Sequence, residues 1–141
     1  MAEESEAVHL LNLEIVTPER KVYSGDVESF SAPGTGGGFQ ILFEHAPFLT
    51  TVSIGQVKIK DRSGTELNYC TTGGFVEVSN NRVTFLADTA ERRDEIDIER
   101  ARSAKSRAEE RLSKKEAGVD LERARLSLER AVNRLKTAEG Q

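Results

Sequence analysis

The sequence predicts a β + α fold, in which an N-terminal antiparallel β-sandwich or flattened barrel is followed by a C-terminal antiparallel two-helix hairpin. Two observations lead to this prediction. Up to about Asp88, short runs alternate apolar and polar side chains between turn residues, which is the period of half-buried strands. From Asp94 onward proline is absent and apolar residues recur at intervals of three and four, which is the period of a helix.

The strand-like segments include "HLLNLEIVT", "GQVKIKD", "FVEVS" and "RVTFLA", in which β-branched and aromatic residues are frequent. Two of the turns between such segments predict tight hairpins. They are "DRSGT", between "VKIK" and "ELNY", and "SNN", between "FVEV" and "RVTF". The spacing indicates about eight to ten short strands, as in a sandwich or a flattened barrel.

Two helices are predicted on either side of "SKKEAGVD". Asp94 or Asp97 is placed to cap the first helix, and Asp120 to cap the second. The apolar stripes are narrow and rich in alanine, which buries little area, so we expect a hairpin that packs weakly and that a partner can rearrange. The stripes consist of Ile98, Ala101, Ala104, Ala108 and Leu112 in the first helix, and of Leu121, Ala124, Leu128, Ala131 and Leu135 in the second.

The chain of 141 residues divides into three predicted parts: an acidic, disordered tail at 1–9, a β-sandwich domain at 10–90 and a helical hairpin domain at 91–141. The net charge of −4 gives no reason to expect nucleic acid as a partner. The apolar runs are too short to span a membrane. The acidic N-terminus does not resemble a signal peptide.

Residues with catalytic or metal-binding chemistry are few. The two histidines and one cysteine do not have the spacing of a zinc site, and no metal ligand is predicted. Cys70 and His45 would make a nucleophilic pair only if the fold brought them together, and the simpler interpretation of Cys70 is a half-buried strand residue. We therefore predict no catalytic residues. A small hydrolase that uses Cys70 and His45 is a weaker hypothesis than the two binding functions described below.

The helical arginines are more informative. Arg130 and Arg134 have no acid three or four positions away, and they lie four positions apart on one helix face. Arg100 and Arg107 share a face of the first helix, and folding the hairpin could bring all four together. Solvent or acids on the facing helix would explain them, and so would a bound polyanion such as a nucleotide phosphate.

Several stretches resemble the epsilon subunit of the F-type, proton-translocating rotary ATP synthase of bacteria. They are "VTPERKVYSGDVESFSAPGTGGGFQILFEHAPFLTTVSIGQVKI", "TTGGFVEVSNNRVTFLADTAE" and "EIDIERARSAKSRAEERL". The resemblance implies a ten-stranded β-sandwich, a helical hairpin and a non-catalytic rotor subunit in the central stalk. It also implies three partners, namely the gamma subunit, the c-ring and the alpha/beta catalytic ring, at the cytoplasmic face of the bacterial plasma membrane.

In that family the hairpin moves between a compact and an extended form that restrains ATP hydrolysis, and some bacterial members bind ATP in the compact form. The resemblance therefore implies ATP as a regulatory ligand, with no required cofactor. The residues that match the family's ATP site are Glu91, Ile96, Asp97, Arg100, Ala101, Arg107, Arg130 and Arg134. His45, Ala46 and Pro47 match a loop that faces the rotor partners.

A hypothesis of another class also accounts for the predicted fold. A free-standing β-sandwich adaptor could use its helical hairpin to bind a helix of an unrelated partner protein. It predicts a stable complex with that partner and no response to ATP.

Overall fold

The computed structural model describes residues 9–114, 118 and 120–140. The predicted tail therefore lies outside the described residues, except for residue 9. Nine strands, a 3-10 turn at Arg93–Glu95 and two helices follow in chain order. The strands are β1 (Leu11–Val16), β2 (Lys21–Gly34), β3 (Gly37–Ile41), β4 (Phe48–Val52), β5 (Gly55–Asp61), β6 (Glu66–Thr71), β7 (Gly74–Ser79), β8 (Arg82–Ala87) and β9 (Ala90–Arg92), and the helices are α1 (Ile98–Lys114) and α2 (Leu121–Ala138).

The strands form a sandwich in which β2 belongs to both layers. One layer has the strand order β1-β8-β7-β4, and the other has the order β2-β5-β6-β9. In addition, both β1 and β3 pair with β2. The described chain has nine strands rather than the predicted ten, because the 14-residue β2 pairs with β1 along its first half and with β3 and β5 along its second. The β1–β8 pair is parallel, whereas we predicted antiparallel pairing. These two strands are distant in sequence, so no hairpin imposes an antiparallel arrangement.

The core lies between the two layers. Alternate residues of β1, namely Leu11, Leu13 and Ile15, are buried while their neighbours are partly exposed, as the alternation of the sequence predicts. Phe30 of β2 and Phe85 of β8 join the two layers, with ring centroids 6.0 Å apart in an edge-to-face arrangement.

Both predicted hairpins are confirmed. β5 and β6 pair across residues 62–65, and the Asp61 amide donates to the Thr65 carbonyl at 2.9 Å. β7 and β8 pair across Asn80 and Asn81, whose φ angles are 52° and 58°. Asparagine tolerates this left-handed conformation better than most residues, and a tight hairpin with the twist of its strands requires it.

The two helices pack against each other along an alanine seam. It is formed by Ala101 and Ala108 of α1 and by Ala124 and Ala131 of α2, each at most 2% exposed. The outer ends of the predicted stripes differ from the prediction, because Ile98 and Leu121 are 38% and 42% exposed. Both stand in the first turn of their helix, beyond the seam. The seam is narrow, and it buries methyl groups rather than large side chains.

The hairpin is docked on the outer face of the sandwich, mainly through α2, which contacts β5, β6 and the 3-10 turn. The carboxyl end of α2 is held by Arg93, whose Nε donates to the Ala138 carbonyl at 3.3 Å. Neither α1 nor α2, the helices of the described residues, has the length and hydrophobicity of a membrane-spanning helix.

Candidate functional site

A cleft of about 500 Å³ lies where β9, α1 and α2 meet. Its lining comprises Glu91, Glu95, Asp97, Arg100, Ala101, Ala104, Arg107 and Arg134. The volume is in the range of about 300–1,000 Å³ that is usual for small-molecule sites. The docked hairpin thus brings six of the eight residues predicted for ATP to one place, and it leaves Ile96 and Arg130 out.

Asp97 is the cap of α1. Its Oδ1 accepts a hydrogen bond from the Arg100 amide at 3.0 Å, and its carbonyl accepts one from the Ala101 amide at 3.0 Å. Of the two predicted caps for this helix, the structure therefore selects Asp97. Asp94 instead lies in the 3-10 turn, where Arg92 binds its carboxylate through Nε and Nη2 at 3.0 and 2.8 Å. The prediction that Asp120 caps the second helix is confirmed, since its Oδ1 accepts from the Arg123 amide at 3.0 Å.

Arg134 is paired with an acid that lies far away in the sequence. Its Nε donates to Oε1 of Glu91 at 2.6 Å, across a separation of 43 residues. This acid lies neither three or four positions away nor on the facing helix, the two places where the sequence predicts partners. The acid comes instead from β9, which the pairing of β6 with β9 places beneath α2. This ion pair links the sandwich to the second helix.

Arg100 and Arg107 supply the free positive charge of the cleft. Within the part of the chain that the structure describes, neither side chain has an ion pair or a hydrogen bond. Both are exposed and seven positions apart on one face of α1. The acids of the cleft are engaged otherwise: Asp97 caps α1, Glu91 binds Arg134, and Glu95 accepts from the Arg92 amide at 3.3 Å.

Arg130 and Ile96 lie outside this cleft. Arg130 is exposed one turn before Arg134 on the same helix face, so it stands beside the cleft rather than in its wall. Ile96 is 8% exposed and faces a second pocket of about 390 Å³ near Leu67 of β6 and Ala138 of α2. The 3-10 turn before α1 directs Ile96 to one side and Asp97 to the other.

Cys70 and His45 are not partners. Nδ1 of His45 lies 2.7 Å from the Ala46 carbonyl, and the ring contacts Phe48. Cys70 in β6 is in contact with Asn133 of α2 instead. Burial raises the pKa of the Cys70 thiol to about 11, and the nearby positive charge of Arg134 offsets this only in part. A protonated, covered thiol is a poor nucleophile, so the geometry does not support a Cys–His hydrolase.

The predicted partner loop at His45, Ala46 and Pro47 connects β3 to β4 on the surface of the sandwich. Glu44, which precedes it, has a φ of 54° and donates its amide to Oδ1 of Asn81 at 2.8 Å. This contact ties the loop to the β7–β8 turn. The loop therefore has a defined shape with Ala46 and Pro47 exposed.

Three residues near the site were not predicted. Glu95 and Ala104 line the cleft, and Asn133 binds α2 to the sheet. Helical spacing offered a signal for Ala104, because it lies four positions after Arg100 and three before Arg107. No local signal marks Asn133, since its partners are backbone carbonyls of β5 and β6, which are distant in the sequence.

A mostly antiparallel β-sandwich with a docked helical hairpin, and a cleft between the two, defines a small two-domain protein with a ligand-sized site at its domain boundary. Comparison with protein families identifies it. Residues 10–93 match the family "ATP synthase, Delta/Epsilon chain, beta-sandwich domain", and residues 94–139 match "ATP synthase, Delta/Epsilon chain, long alpha-helix domain". The chain belongs to the ATP synthase epsilon-chain family, whose members are non-catalytic stalk subunits.

Curated relatives agree with this assignment. The chain is 46% identical over 127 residues to the ATP synthase epsilon chain of Desulforamulus reducens, which covers 90% of this chain and 96% of the relative. It is 52% identical over 103 residues to that of Pelotomaculum thermopropionicum, which covers 73% of this chain and 76% of the relative.

Solved structures agree in fold. A chain of the Euglena gracilis mitochondrial ATP synthase, in a structure of OSCP, F1 and the c-ring, superposes with a TM-score of 0.76 at 19% identity and covers 86% of this chain and 76% of that chain. A chain from the central stalk and c-ring of the Tetrahymena thermophila enzyme gives a TM-score of 0.56 at 16% identity, covering 92% and 93%. At these identities the likeness shows the fold alone.

Proposed function

We propose that the protein is the rotor subunit that links gamma to the c-ring in the central stalk, and that its hairpin restrains ATP hydrolysis at the alpha/beta ring unless ATP holds the hairpin compact. The proposal places it at the cytoplasmic face of the bacterial plasma membrane, held there through the complex. Family membership supports the rotor role. The cleft between sandwich and hairpin is the observation that supports ATP control, because a ligand bound there would touch both domains.

An apolar surface on the sandwich supports a protein partner such as gamma. Phe75 in β7 is the register partner of Leu86 in β8 and of Thr51 in β4, and Leu49 lies two positions from Thr51. Leu49 and Leu86 are 60% and 53% exposed. Large apolar side chains exposed side by side across three strands are typical of an interface.

The rotor role is tested by co-purification with the gamma subunit. Leu86→Glu places a charge within the apolar surface, and we expect it to reduce recovery with gamma at least about tenfold, since a buried unpaired charge is costly. Arg82→Glu, at an exposed position of the same strand outside this surface, is the matched control. Equal recovery of all three proteins would contradict this interface, and no recovery of the unaltered chain would contradict the rotor role.

The ATP part of the proposal rests on charge. The cleft holds three arginines and three acids, but Arg100 and Arg107 have no partner in the described structure, whereas each acid is engaged. Phosphate oxygens would satisfy these guanidinium groups by charge-assisted hydrogen bonds. Arg130, beside the cleft, would add a further positive charge. Arg134 already binds Glu91, so it can contribute only if its guanidinium group binds Glu91 and the ligand at the same time.

Calorimetric titration of the full chain with ATP in the absence of magnesium tests this site. We expect saturable binding that Arg100→Gln plus Arg107→Gln weakens at least about tenfold, since each charged hydrogen bond contributes about 1.5–3 kcal/mol. Arg102→Gln is the matched control, because Arg102 lies on the same helix and is exposed and paired with Glu99. Absence of heat at millimolar ATP, or equal binding by the double variant, would contradict the proposal.

ATP bound in the cleft would favour the docked hairpin by mass action, to the extent that it binds this form better. The restraint of hydrolysis is tested by locking that form. Asn133→Cys places a second thiol beside Cys70, whose Sγ lies 3.2 Å from Nδ2 of Asn133. We expect the oxidised variant, added to an alpha-beta-gamma complex, to leave hydrolysis unrestrained, and the reduced variant to restrain it. Equal hydrolysis in both redox states, with the disulfide verified, would contradict a mobile inhibitory hairpin.

A free-standing adaptor remains the second hypothesis. The adaptor hypothesis assigns partner binding to the hairpin, where Ile98 and Leu121 are exposed in the first turns of two different helices. On the sandwich, by contrast, Leu49, Phe75 and Leu86 are exposed on three adjacent strands. The co-purification experiment separates the two, because an adaptor would not depend on gamma.

A further inference from the structure

Asn133 lies at the centre of the contact between α2 and the sandwich. Its Nδ2 donates to the Gly55 carbonyl at 2.8 Å and lies 3.4 Å from the Thr71 carbonyl. Gly55 and Thr71 are register partners where the pairing of β5 with β6 begins. One side-chain amide therefore contacts two neighbouring strands at a single point of their register.

The two carbonyl acceptors are held in fixed positions. Gly55 lies so close to Pro33 that a Cβ at position 55 would stand 2.6 Å from Pro33 Cγ, a distance that only glycine permits. Thr71 is fully buried, and its Oγ1 donates to the Thr89 carbonyl at 2.8 Å. A donor that fits rigid acceptors fixes position more strictly than contacts between flexible groups do.

The other contacts of the hairpin do not specify a position in this way. The alanine seam is apolar and non-directional, and it joins α1 to α2 rather than to the sheet. The hydrogen bond from Arg93 to the Ala138 carbonyl is longer, at 3.3 Å, and comes from an exposed, flexible side chain to the last residue of α2. The Glu91–Arg134 pair joins two long side chains that are 37% and 31% exposed, and such pairs adapt to small shifts.

Cys70 reports whether α2 is docked. In β6 the alternate residue Tyr69 faces the core, opposite buried Val57 of β5, so Cys70 points to the outer face. It is nevertheless only 3% exposed, because Asn133 lies over its thiol. When α2 leaves, the thiol becomes accessible to reagents.

We propose that Asn133 is the positioning residue that sets where the hairpin docks and how often it leaves. This inference rests on the proposed movement of the hairpin and assigns its control to one amide. Replacing Asn133 with an apolar residue removes this donor from the Gly55 and Thr71 carbonyls in the docked form, whereas water can donate to them in the undocked form. The docked form therefore loses stability and the sandwich does not.

The experiment measures alkylation of Cys70, the one cysteine of the chain, by iodoacetamide in the full-length protein without ATP. We expect labelling of the near-isosteric Asn133→Leu to be about tenfold faster than that of the unaltered chain. Asn133→Asp is expected to label faster still, because its carboxylate oxygens would face the two carbonyl oxygens. Arg123→Leu, an exposed change on the same helix away from the sheet, is expected to leave the rate unchanged.

Hydrogen exchange of the core amides of β2 and β8, measured on the same samples, separates undocking from loss of the fold. Faster labelling with unchanged core exchange supports the inference. Faster labelling accompanied by an equal acceleration of core exchange overturns it, because Asn133 would then stabilise the whole chain.

Two further outcomes distinguish this inference from the proposed function. In the first, Cys70 of the unaltered chain is labelled through local opening, and both Asn133 variants are labelled at the same rate as the unaltered chain. This result overturns the role of Asn133 but leaves the proposed movement of the hairpin intact. If Cys70 of the unaltered chain labels only at the rate of global unfolding, the movement is overturned and this inference with it.

Discussion

Glu91 of β9 and Arg134 of α2 form an ion pair, with 2.6 Å between Oε1 and Nε, that crosses the boundary between the sandwich and the hairpin. Both residues also line the cleft that we propose for ATP. The pair therefore has two roles in the proposed mechanism: it helps to dock α2 when the cleft is empty, and it holds Arg134 at the position where a phosphate would approach.

Glu91→Gln is expected to weaken docking by about 0.5–1 kcal/mol, a small value because both side chains are partly exposed to solvent. A double-mutant cycle with Arg134→Gln, read from the alkylation rate of Cys70, measures the coupling. The exposed Glu99–Arg102 pair is the control and is expected to show no coupling to docking. A zero coupling energy for Glu91 and Arg134 would contradict a docking role for the pair.

Asp97→Ala is expected to loosen the first turn of α1, because it removes the acceptor for the Arg100 amide. Loss of such a cap costs about 0.5–2 kcal/mol. Hydrogen exchange at Arg100 is the measurement, and ATP binding should fall in parallel, since Arg100 is held in the cleft by this turn. Asp97→Asn retains a capping oxygen and should restore most of the protection. Equal protection in the alanine and asparagine variants would show that the cap does not order this turn.

Local patterns were enough to predict five of the strands (β1, β5, β6, β7 and β8), both hairpins and the Asp120 cap, because each depends on residues close together in the sequence. The site was predicted less completely. The Glu91–Arg134 pair depends on β9 joining β6, which periodicity cannot reveal. The family motif suggested that Ile96 would share the site with Asp97. The 3-10 turn at Arg93–Glu95 separates their directions instead.

Asp61 provides a prediction for acidic pH. Hydrogen bonds from the Ser63 hydroxyl and then from the Thr65 amide lower the pKa of Asp61 below its usual 3.8. A carboxylate with a lowered pKa in the folded state contributes stability above its unfolded pKa, and that stability is lost as the pH falls through the folded pKa. The unaltered chain should therefore melt at a higher temperature than Asp61→Asn near neutral pH. This difference in melting temperature should disappear as the pH falls below 3.8.

Melting curves of both proteins from about pH 2 to 7 measure that gap. Ser63→Ala removes the largest cause of the lowered pKa of Asp61. The difference in melting temperature between Ser63→Ala and the double variant Asp61→Asn, Ser63→Ala should therefore be smaller. A gap that does not change with pH would show that hydrogen bonding to the charged carboxylate does not stabilise this turn.

Cys70 provides the corresponding prediction at alkaline pH. Burial beneath α2 raises the pKa of its thiol from 9.0 to about 11. Between these values the undocked form loses a proton that the docked form retains, so rising pH favours undocking. At about 1.4 kcal/mol for each unit of pKa, discounted for partial solvation, we expect docking to weaken by roughly 1–2 kcal/mol across this window.

Hydrogen exchange of the α2 amides, compared between the unaltered chain and Cys70→Ser, measures this effect. The serine hydroxyl does not titrate in this range, so its docking should not show the same loss. Tyr23 and Tyr69, whose pKa values burial also raises, are common to both proteins and cancel in the difference. If the two proteins lose protection equally between pH 9 and 11, the thiol does not ionise on undocking, and Cys70 is not covered by α2 alone.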